Sequence, residues 1–326
     1  MKIYTKITDI KNKYKKIVVA LGMFDGMHIG HQSIVHRAME LAEGMDGQCV
    51  VFTFSNHPLS VVAPERMPLQ IGSPDLRNAI LERMGVEVVF NISFTKEFSR
   101  ISPNKFMEIL QDNLAPLYVV TGANFTFGYQ GKGNQRLLMR AGKDYGFCAE
   151  ICPTILDCGR AISSTRIREL LKNGELPVVN EFLGRPFTFL GRVVHGDRRG
   201  RTLGFPTANL MIPDYCAMLP NGVYAVKVLY DGKIYHGVAN IGNNPTFEGC
   251  YHRLEVHILD FQKDIYDKPL HVFFLQKLRD EKKFNSAEHL VKQLHKDKMA
   301  ATAICNEWKS SIFRVFFKNR KEKEKK

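Results

Sequence analysis

One segment near the start of the chain constrains its fold more than any other: Gly22-Met23-Phe24-Asp25-Gly26-Met27-His28-Ile29-Gly30-His31. The apolar run 17–21 precedes it, and apolar residues recur at helical spacing over 34–42 after it. The two histidines are therefore predicted to lie in the first turn of a helix that follows a strand. Unpaired backbone amides and the helix dipole favour an anion there, and glycines allow the backbone to approach it. The segment predicts a site for the phosphates of a nucleotide; without the glycines, a structural or metal-binding histidine pair would be an equal alternative.

Strand-like and helix-like segments alternate from residue 17 to about 173, which favours a doubly wound parallel sheet covered by helices. The predicted strands are 17–21, 49–54, 86–90, 117–121 and 147–151, and the predicted helices are 75–84, 104–113, 134–145 and 163–172. Ligands bind such sheets at the carboxyl ends of the strands. The histidine segment, 55–58 and 121–125 each follow a strand, so we expect them to face one cleft.

The pattern changes near residue 184 to short β-rich segments, followed by a terminal helix over 286–308. The predicted strands are 187–194, 222–230, 233–241, 253–259 and 270–275. Asp231-Gly232 between two of them is a hairpin signal, and an antiparallel barrel would close the sheet edges. The sequence thus predicts an α/β domain over 1–182, a β-barrel domain over 183–310 and a basic tail over 311–326.

Composition narrows the class of protein. A chain of 326 residues with 44% apolar residues can form two folded domains. No apolar run reaches membrane-spanning length, and the start lacks a signal-peptide core, so we expect a cytoplasmic protein without membrane contact. The seven cysteines show no Cys-x-x-Cys spacing, so neither a zinc site nor a disulfide framework is expected. The net charge of +13 suits an anionic partner, either a nucleoside triphosphate or a nucleic acid.

A second motif, Ile162-Ser163-Ser164-Thr165-Arg166-Ile167-Arg168, places hydroxyl caps and two arginines at a helix start. Alone it would be a capped amphipathic helix. Together with His28-Ile29-Gly30-His31 it resembles the nucleotidyltransferase superfamily. The longer motif from Gly22 to Gln32, Gly-x-Phe-Asp-Gly-x-His-x-Gly-His-Gln, resembles that of the bacterial bifunctional riboflavin kinase/FMN adenylyltransferases, also called FAD synthetases.

This resemblance implies transfer of AMP from ATP to the phosphate of FMN, which gives FAD and pyrophosphate. His28 and His31 would stabilise the transferred phosphoryl group, and His57 and Asn124 would contact FMN. The residues implied to bind ATP are Gly22, Phe24, Asp25, Gly30, Ser163, Ser164, Thr165 and Arg168. The phosphate of FMN is already anionic, so this step needs no strong base. A turn role is the alternative for His57, and Gln130-Gly131 departs from a basic residue common in the family.

The second half contains a glycine-rich stretch that is not a Walker A loop, formed by Gly196, Gly200, Arg201 and Gly204. These residues would cover phosphates. The run Gly204-Phe205-Pro206-Thr207-Ala208-Asn209 resembles the riboflavin kinase signature. The resemblance implies that Thr207 and Asn209 help to coordinate Mg²⁺ with ATP, and hard oxygen ligands suit that ion. A turn capped by Asn209 is the alternative.

Alternation in 254–259 places Glu255 and His257 on one face of a strand. The resemblance implies that Glu255 is the general base for the 5′-hydroxyl of riboflavin, and that Arg279 contacts the flavin. Edge-strand solubility is the alternative for Glu255. Asp267 stands where the family usually has glycine.

The resemblance covers residues 17 to about 299 and implies a bifunctional transferase that uses ATP, riboflavin, FMN and FAD, with Mg²⁺ as cofactor. Two alternatives stay open. Only one of the two activities could be retained, or the chain could be a flavin- or RNA-binding regulator on the same fold. Nucleic acid is not the expected partner, and the sequence does not specify an oligomeric state.

Overall fold

The computed structural model describes residues 1–10, 13–196, 200, 203–246 and 249–308. These residues form two compact units. Of the described residues, the first comprises 1–68 and 77–163, and the second comprises 69–76 and 164–308. The basic tail predicted over 311–326 lies outside the described residues.

The first unit is built on a six-stranded parallel sheet with the strand order β1-β4-β3-β2-β5-β6. Its strands are β1 (Lys2–Tyr4), β2 (Ile17–Leu21), β3 (Gln48–Phe54), β4 (Val88–Ile92), β5 (Tyr118–Gly122) and β6 (Cys148–Cys152). The predicted parallel α/β sheet is confirmed. The first strand was not predicted because three residues are too short to show a period.

Five helices connect these strands: α1 (Ile29–Gly44), α2 (Leu59–Val62), α3 (Pro74–Met84), α4 (Pro103–Leu114) and α5 (Gln135–Tyr145). Side-chain caps explain where two of them begin, since Ser102 accepts a hydrogen bond from the Lys105 amide and Asn134 accepts one from the Leu137 amide. Gly146 ends α5 in the left-handed conformation. A two-stranded ribbon, β7 (Leu156–Asp157) and β8 (Arg160–Ala161), follows the sheet.

The strand order determines where the site lies. Strands β3, β2 and β5 are neighbours and run parallel, so their carboxyl ends lie side by side at one edge of the sheet. The histidine segment leaves β2 at that edge. Ser55 follows β3, and Ala123 follows β5. The expectation that three strand ends converge on one cleft therefore agrees with the topology.

The second unit contains a closed antiparallel barrel with the strand order β10-β13-β12-β11-β14-β9. Its strands are β9 (Phe187–Val194), β10 (Ala208–Met211), β11 (Gly222–Tyr230), β12 (Lys233–Thr246), β13 (Gly249–Ile258) and β14 (Pro269–Arg279). The predicted barrel is confirmed. Asp231 and Gly232 both adopt positive φ, at 49° and 70°, as a tight hairpin between β11 and β12 requires. Strand β10 was missed because its Pro-Thr start resembles a turn.

Helices α6 (Ser164–Asn173), α7 (Leu176–Leu183) and α8 (Ala287–Glu307) also belong to the described part of this unit. The terminal helix α8 begins at the side-chain cap of Ser286 and packs on the barrel through Ala301 and Ile304. Helix α7 was not predicted. Leu176, Val179, Phe182 and Leu183 are all buried there and recur at helical spacing, so the sequence did contain the amphipathic signal of this helix.

Candidate active sites

The loop between β2 and α1 has an unusual backbone. Phe24, Gly26 and Met27 adopt positive φ values of 54°, 75° and 44°. The Phe24 ring is fully buried and lies over Gly22, where an added Cβ would come within 2.8 Å of it. Residues other than glycine occupy this region at a cost of about 1–3 kcal/mol each. Phe24 as a whole is 0% exposed, so neither its ring nor its backbone is open to a ligand in this structure.

The predicted histidine pair is assembled at the start of α1. The imidazoles of His28 and His31 stack with 3.7 Å between ring centroids, and the Phe24 ring packs edge-on against His31. A Cβ at Gly30 would lie 3.1 Å from the His28 ring and 3.9 Å from the Ile162 carbonyl oxygen. The first turn of α1 thus lies against the segment that leads into the Ser163 motif, and a side chain at position 30 would crowd the His28 ring.

Burial and the neighbouring His28 lower the pKa of His31 well below its usual value, against a smaller opposing effect of its hydrogen bond to the Asp25 backbone. The imidazole of His31 is therefore neutral at neutral pH. Its Nδ1 is buried and has no hydrogen-bond partner among the described residues. A polar nitrogen in that state is satisfied when a ligand supplies the partner.

Three residues that sequence reasoning missed support this loop. Both Thr53 Oγ1 and Arg77 Nη1 donate to the Met23 carbonyl oxygen, each at 3.2 Å, and Arg77 Nη2 donates to Asn91 Oδ1 at 2.8 Å. One signal was available in the sequence. Arg77 shares the apolar stripe of α3 with Ile80 and Leu81, and a cation on such a stripe indicates a buried polar contact.

The remaining predicted residues of the first unit are less enclosed. His57 Nδ1 accepts a hydrogen bond from the Leu59 amide at 3.1 Å, as the turn alternative expects. Asn124 is exposed directly after β5. Asp25 is partly buried and interacts electrostatically with Arg77. Gln130, where the family often has a basic residue, adopts φ 55° within the short turn Tyr129–Gly131.

The Ser163 motif divides between the units. Ser163 is part of the first unit, and α6 starts in the second unit with Ser164, followed by the exposed Thr165. Arg168 Nε donates to the carbonyl oxygen of Leu69, which also belongs to the second unit.

The barrel brings together two residues that were predicted from separate motifs. Asn209 on β10 and Glu255 on β13 are direct cross-strand partners. Directly opposed residues on antiparallel strands point to the same face, with Cβ atoms about 4.5–5.5 Å apart. Asn209 is 7% exposed, and its Oδ1 has no hydrogen-bond partner among the described residues. An acceptor that is buried beside a carboxylate is a suitable oxygen ligand for a cation.

The glycines of the barrel motif are required by close contacts. A Cβ at Gly196 would lie 2.3 Å from Asn209 Nδ2, and one at Gly200 would lie 2.4 Å from the Phe205 carbonyl oxygen. Gly204 adopts φ 82°. Thr207 is partly buried just before β10. Arg201 lies outside the described residues.

Neighbouring strands and α8 position the remaining groups. Glu255 is partly exposed, and its Oε1 lies 3.6 Å from Arg253 Nη1. His257 Nδ1 lies 2.8 Å from the Pro206 carbonyl oxygen and ties β13 to the Thr207 motif. Burial lowers the pKa of His257.

Arg279 is held by the terminal helix. Its guanidinium forms an ion pair with the buried Asp297, with 2.8 Å between Nη2 and Oδ2, and a further bond to the Asp280 carbonyl oxygen. Sequence reasoning missed Asp297, although Asp297 and Ala301 share one face of α8. Asp267, where the family usually has glycine, adopts φ 61°, so the turn keeps its left-handed residue.

Within the described residues, no group of three or more His, Cys, Asp and Glu side chains could hold a metal ion. A metal at the barrel would therefore depend on hydroxyl and amide oxygens together with substrate phosphates. No helix in the described part of the chain is long and apolar enough to cross a membrane.

Two family models match the chain in the order of its halves. The FAD synthetase model matches residues 10–166, and the riboflavin kinase model matches residues 183–305. The chain is 36% identical over 300 residues to the bifunctional riboflavin kinase/FMN adenylyltransferase of Bacillus subtilis, covering 90% of this chain and 93% of the relative. It is 35% identical to the Escherichia coli K12 protein of the same description, covering 87% and 91%.

A solved structure described as a macrolide-efflux protein from Streptococcus pneumoniae also matches. Its TM-score is 0.81 at 34% identity, and the match covers 94% of this chain and 99% of that one. The shared architecture therefore extends over both halves. With both family models matched and the curated relatives covered almost end to end, the chain belongs to the family of bifunctional riboflavin kinase/FMN adenylyltransferases.

Proposed function

We propose that the bifunctional transferase activity of this family is divided in this chain between the histidine site of the first unit and the Asn209–Glu255 site of the barrel. The barrel converts riboflavin and ATP to FMN, and the α/β half then transfers AMP from ATP to FMN, which gives FAD and pyrophosphate. The proposed domains are 1–182 for adenylyl transfer and 183–310 for the kinase. The single observation that supports the residue assignment best is the direct pairing of Asn209 with Glu255.

In the adenylyl-transfer step, charge develops on the α-phosphoryl oxygens and on the leaving pyrophosphate. His28 and His31 are the proposed contacts of the transferred group at the start of α1, where the helix dipole also favours an anion. Ser163, Ser164, Thr165 and Arg168 are the proposed ligands of the β and γ phosphates. No base is required, because the attacking oxygen of FMN already carries charge, and a neutral His31 is consistent with that demand.

The loop glycines and the FMN contacts complete this assignment. Gly22, Asp25 and Gly30 shape the turn that holds the ATP phosphates, and the buried Phe24 supports that turn from behind Gly22. His57 and Asn124 follow the two strands that flank β2, so they are the proposed contacts of FMN.

In the kinase step, the attacking group is the 5′-hydroxyl of riboflavin, which is a weak nucleophile until its proton is removed. Glu255 takes this proton as the hydroxyl oxygen attacks the γ-phosphorus of ATP, the bond from that phosphorus to the β–γ bridging oxygen breaks, and ADP leaves. Gly196, Gly200, Arg201 and Gly204 cover the phosphates. Arg279 contacts the flavin from the position in which Asp297 holds it.

Reactions of both kinds generally use a divalent metal, and we propose Mg²⁺ in each. At the barrel, Asn209 Oδ1 and the Thr207 hydroxyl supply hard oxygens, and the buried, unbonded Oδ1 fits that role. The ion would offset the charge of the ATP phosphates there. A cytoplasmic location is proposed as well, in keeping with ATP as substrate and with Cys49, Cys152 and Cys305 as buried free thiols.

A chromatographic time course tests this proposal. Purified protein is incubated with riboflavin, ATP and Mg²⁺, and a parallel run starts from FMN. FMN should appear before FAD in the first run, and FAD should form in the second. FMN as the only product would contradict the adenylyl-transfer half, FAD only from supplied FMN would contradict the kinase half, and binding of flavin without any product would favour the regulator alternative.

A further inference from the structure

Arg77 is a buried cation with neutral hydrogen-bond partners. It is 7% exposed, and its bonded partners are the Met23 carbonyl oxygen and the Asn91 side-chain amide oxygen. Its Nε is also buried and has no hydrogen-bond partner among the described residues. Burial lowers the pKa of Arg77 to about 10, against the attraction of Asp25, so the side chain stays charged at neutral pH. Burying a charge that is not hydrogen-bonded to a carboxylate destabilises the folded state, so we expect Arg77 to have a role other than stability.

The position of its partners suggests that role. Met23 immediately precedes the left-handed residues Phe24, Gly26 and Met27, and this turn delivers the chain to His28. Backbone in this conformation persists only where surrounding contacts fix it. The Met23 carbonyl oxygen is fixed twice, by Arg77 from α3 and by Thr53 from β3.

Asn91 on β4 fixes the other end of the guanidinium. Since β4 pairs directly with β3, the Met23 carbonyl is linked to two adjacent strands of the sheet, to β3 through Thr53 and to β4 through Arg77 and Asn91. Asp25 in the same loop is attracted to the same cation. Arg77 thus connects three parts of the first unit: the turn, the sheet and α3.

We propose that Arg77 is a positioning residue for adenylyl transfer: it holds the Met23 carbonyl and Asp25 so that the left-handed turn directs His28 and His31 at the transferred phosphoryl group. This inference rests on the proposed role of the histidine pair. Arg77 itself touches no reacting atom. It acts on the rate of the chemical step because transferred and attacking groups must be aligned, and a displacement of about 1 Å costs about 10²-fold in rate.

The test uses the full-length chain and both of its reactions. Arg77→Met and Arg77→Gln remove the charge. Arg77→Lys keeps the charge and has one donor group for the Met23 carbonyl. Arg140→Met is the control, because Arg140 is exposed on α5. For each variant, kcat and the KM for ATP are measured for FAD formation from FMN. FMN formation from riboflavin by the same preparation checks that the barrel is intact, and a thermal melt checks folding.

We expect Arg77→Met and Arg77→Gln to lower kcat for FAD formation by about 10²-fold, with the KM for ATP within about threefold of wild type. The kcat of Arg77→Lys for FAD formation should be at least tenfold higher than that of the uncharged variants. FMN formation by all Arg77 variants, and both reactions of Arg140→Met, should proceed at the wild-type rate. Retained kcat in either folded uncharged variant would overturn the inference, as would a raised KM with normal kcat. Failure of both uncharged variants to fold would also overturn it, because Arg77 would then act on stability.

His31→Ala, measured alongside, separates this inference from the proposed function. If His31→Ala keeps FAD formation, the histidine site itself is misassigned. If His31→Ala loses FAD formation while Arg77→Met keeps it, the site stands and only the role of Arg77 fails.

Discussion

The two candidate sites obtain their geometry in opposite ways. The histidine site lies on a turn with three positive-φ residues, two of which are not glycine, and buried contacts from Thr53 and Arg77 support it. The barrel site uses regular structure, because the register of β10 against β13 places Asn209 opposite Glu255. A strained turn needs support from distant parts of the chain, whereas a ladder of strands positions side chains through its own hydrogen bonds.

The chemistry of the two steps matches this difference. Adenylyl transfer needs groups placed against developing charge, and the proposed histidine pair, with His28 buried, lies at the start of a helix, where an anion is favoured. Phosphorylation of a hydroxyl needs a base that substrate can reach, and Glu255 is partly exposed on its strand. The comparison predicts that each site can be damaged without harm to the other.

The largest expected effect is at the barrel. Glu255→Gln should lower kcat for FMN formation by about 10²–10⁴-fold, because the hydroxyl loses its proton acceptor. Formation of FAD from supplied FMN should be unchanged. Product separation by chromatography measures both rates in one preparation. Glu288→Gln, at an exposed position in the first turn of α8, is the matched control. Normal FMN formation in Glu255→Gln would remove Glu255 from the role of base.

The next effect is at the histidine pair. His28→Ala or His31→Ala should each lower kcat for FAD formation by about 10²–10³-fold, as loss of one donor to a developing anion does elsewhere. FMN formation from riboflavin should not change. His36→Ala on α1 serves as the control. A variant that is folded yet loses both reactions would break the comparison, because the two sites would not be independent.

A smaller effect is expected for the metal ligand. Asn209→Ala should weaken the apparent affinity for Mg²⁺ in FMN formation by about tenfold to a hundredfold. Asn209→Asp, which keeps an oxygen at the same position, should lose less. Titration of both reactions with Mg²⁺ checks this, because FAD formation from FMN should keep its wild-type dependence. An identical Mg²⁺ dependence in Asn209→Ala would show that Asn209 is a turn cap.

The smallest effect concerns pH. The folded protein keeps His31 neutral to well below pH 6.5, whereas the unfolded chain takes up a proton there near pH 6.5. The unfolded state therefore binds more protons over this window, so stability falls as pH falls below about 6.5. His257 and His236 have lowered pKa values too and add their own dependence.

Thermal melts at about pH 7.5 and about pH 5.5, compared between the wild type and His31→Gln, isolate the contribution of His31 to this loss of stability. The melting temperature of His31→Gln should fall less than that of the wild type between these two conditions. Equal losses in the two proteins would mean that His31 is not held neutral by the fold.

The sequence predicted much of this molecule, and the reasons differ between elements. Strand β2 and strand β11 were predicted with their observed ends, because each is an apolar run bounded by glycine or by a hairpin signal. Strand β1 was missed because it is too short to show a period, whereas the short helix α7 was missed although its buried residues recur at helical spacing. Local pattern therefore identifies elements where the chain carries a clear boundary signal, as it does at the almost wholly buried β2 and β11.

The site residues show the same limit. His28, His31, Thr207 and Asn209 were found because their motifs are contiguous in sequence. Arg77 and Asp297 were not, because each acts on a partner far along the chain, Met23 and Arg279 respectively. Tertiary contacts select such residues, and a single sequence contains only the weak signal of a charge on an apolar stripe.

Complementation between two damaged chains tests the central claim most directly. His31→Ala alone should convert riboflavin to FMN and stop, and Glu255→Gln alone should leave riboflavin unchanged yet convert supplied FMN to FAD. A one-to-one mixture, given riboflavin, ATP and Mg²⁺, should form FAD with FMN as the intermediate seen by chromatography. If the mixture forms no FAD, or if either variant alone forms FAD from riboflavin at the wild-type rate, the assignment of two separate sites is wrong.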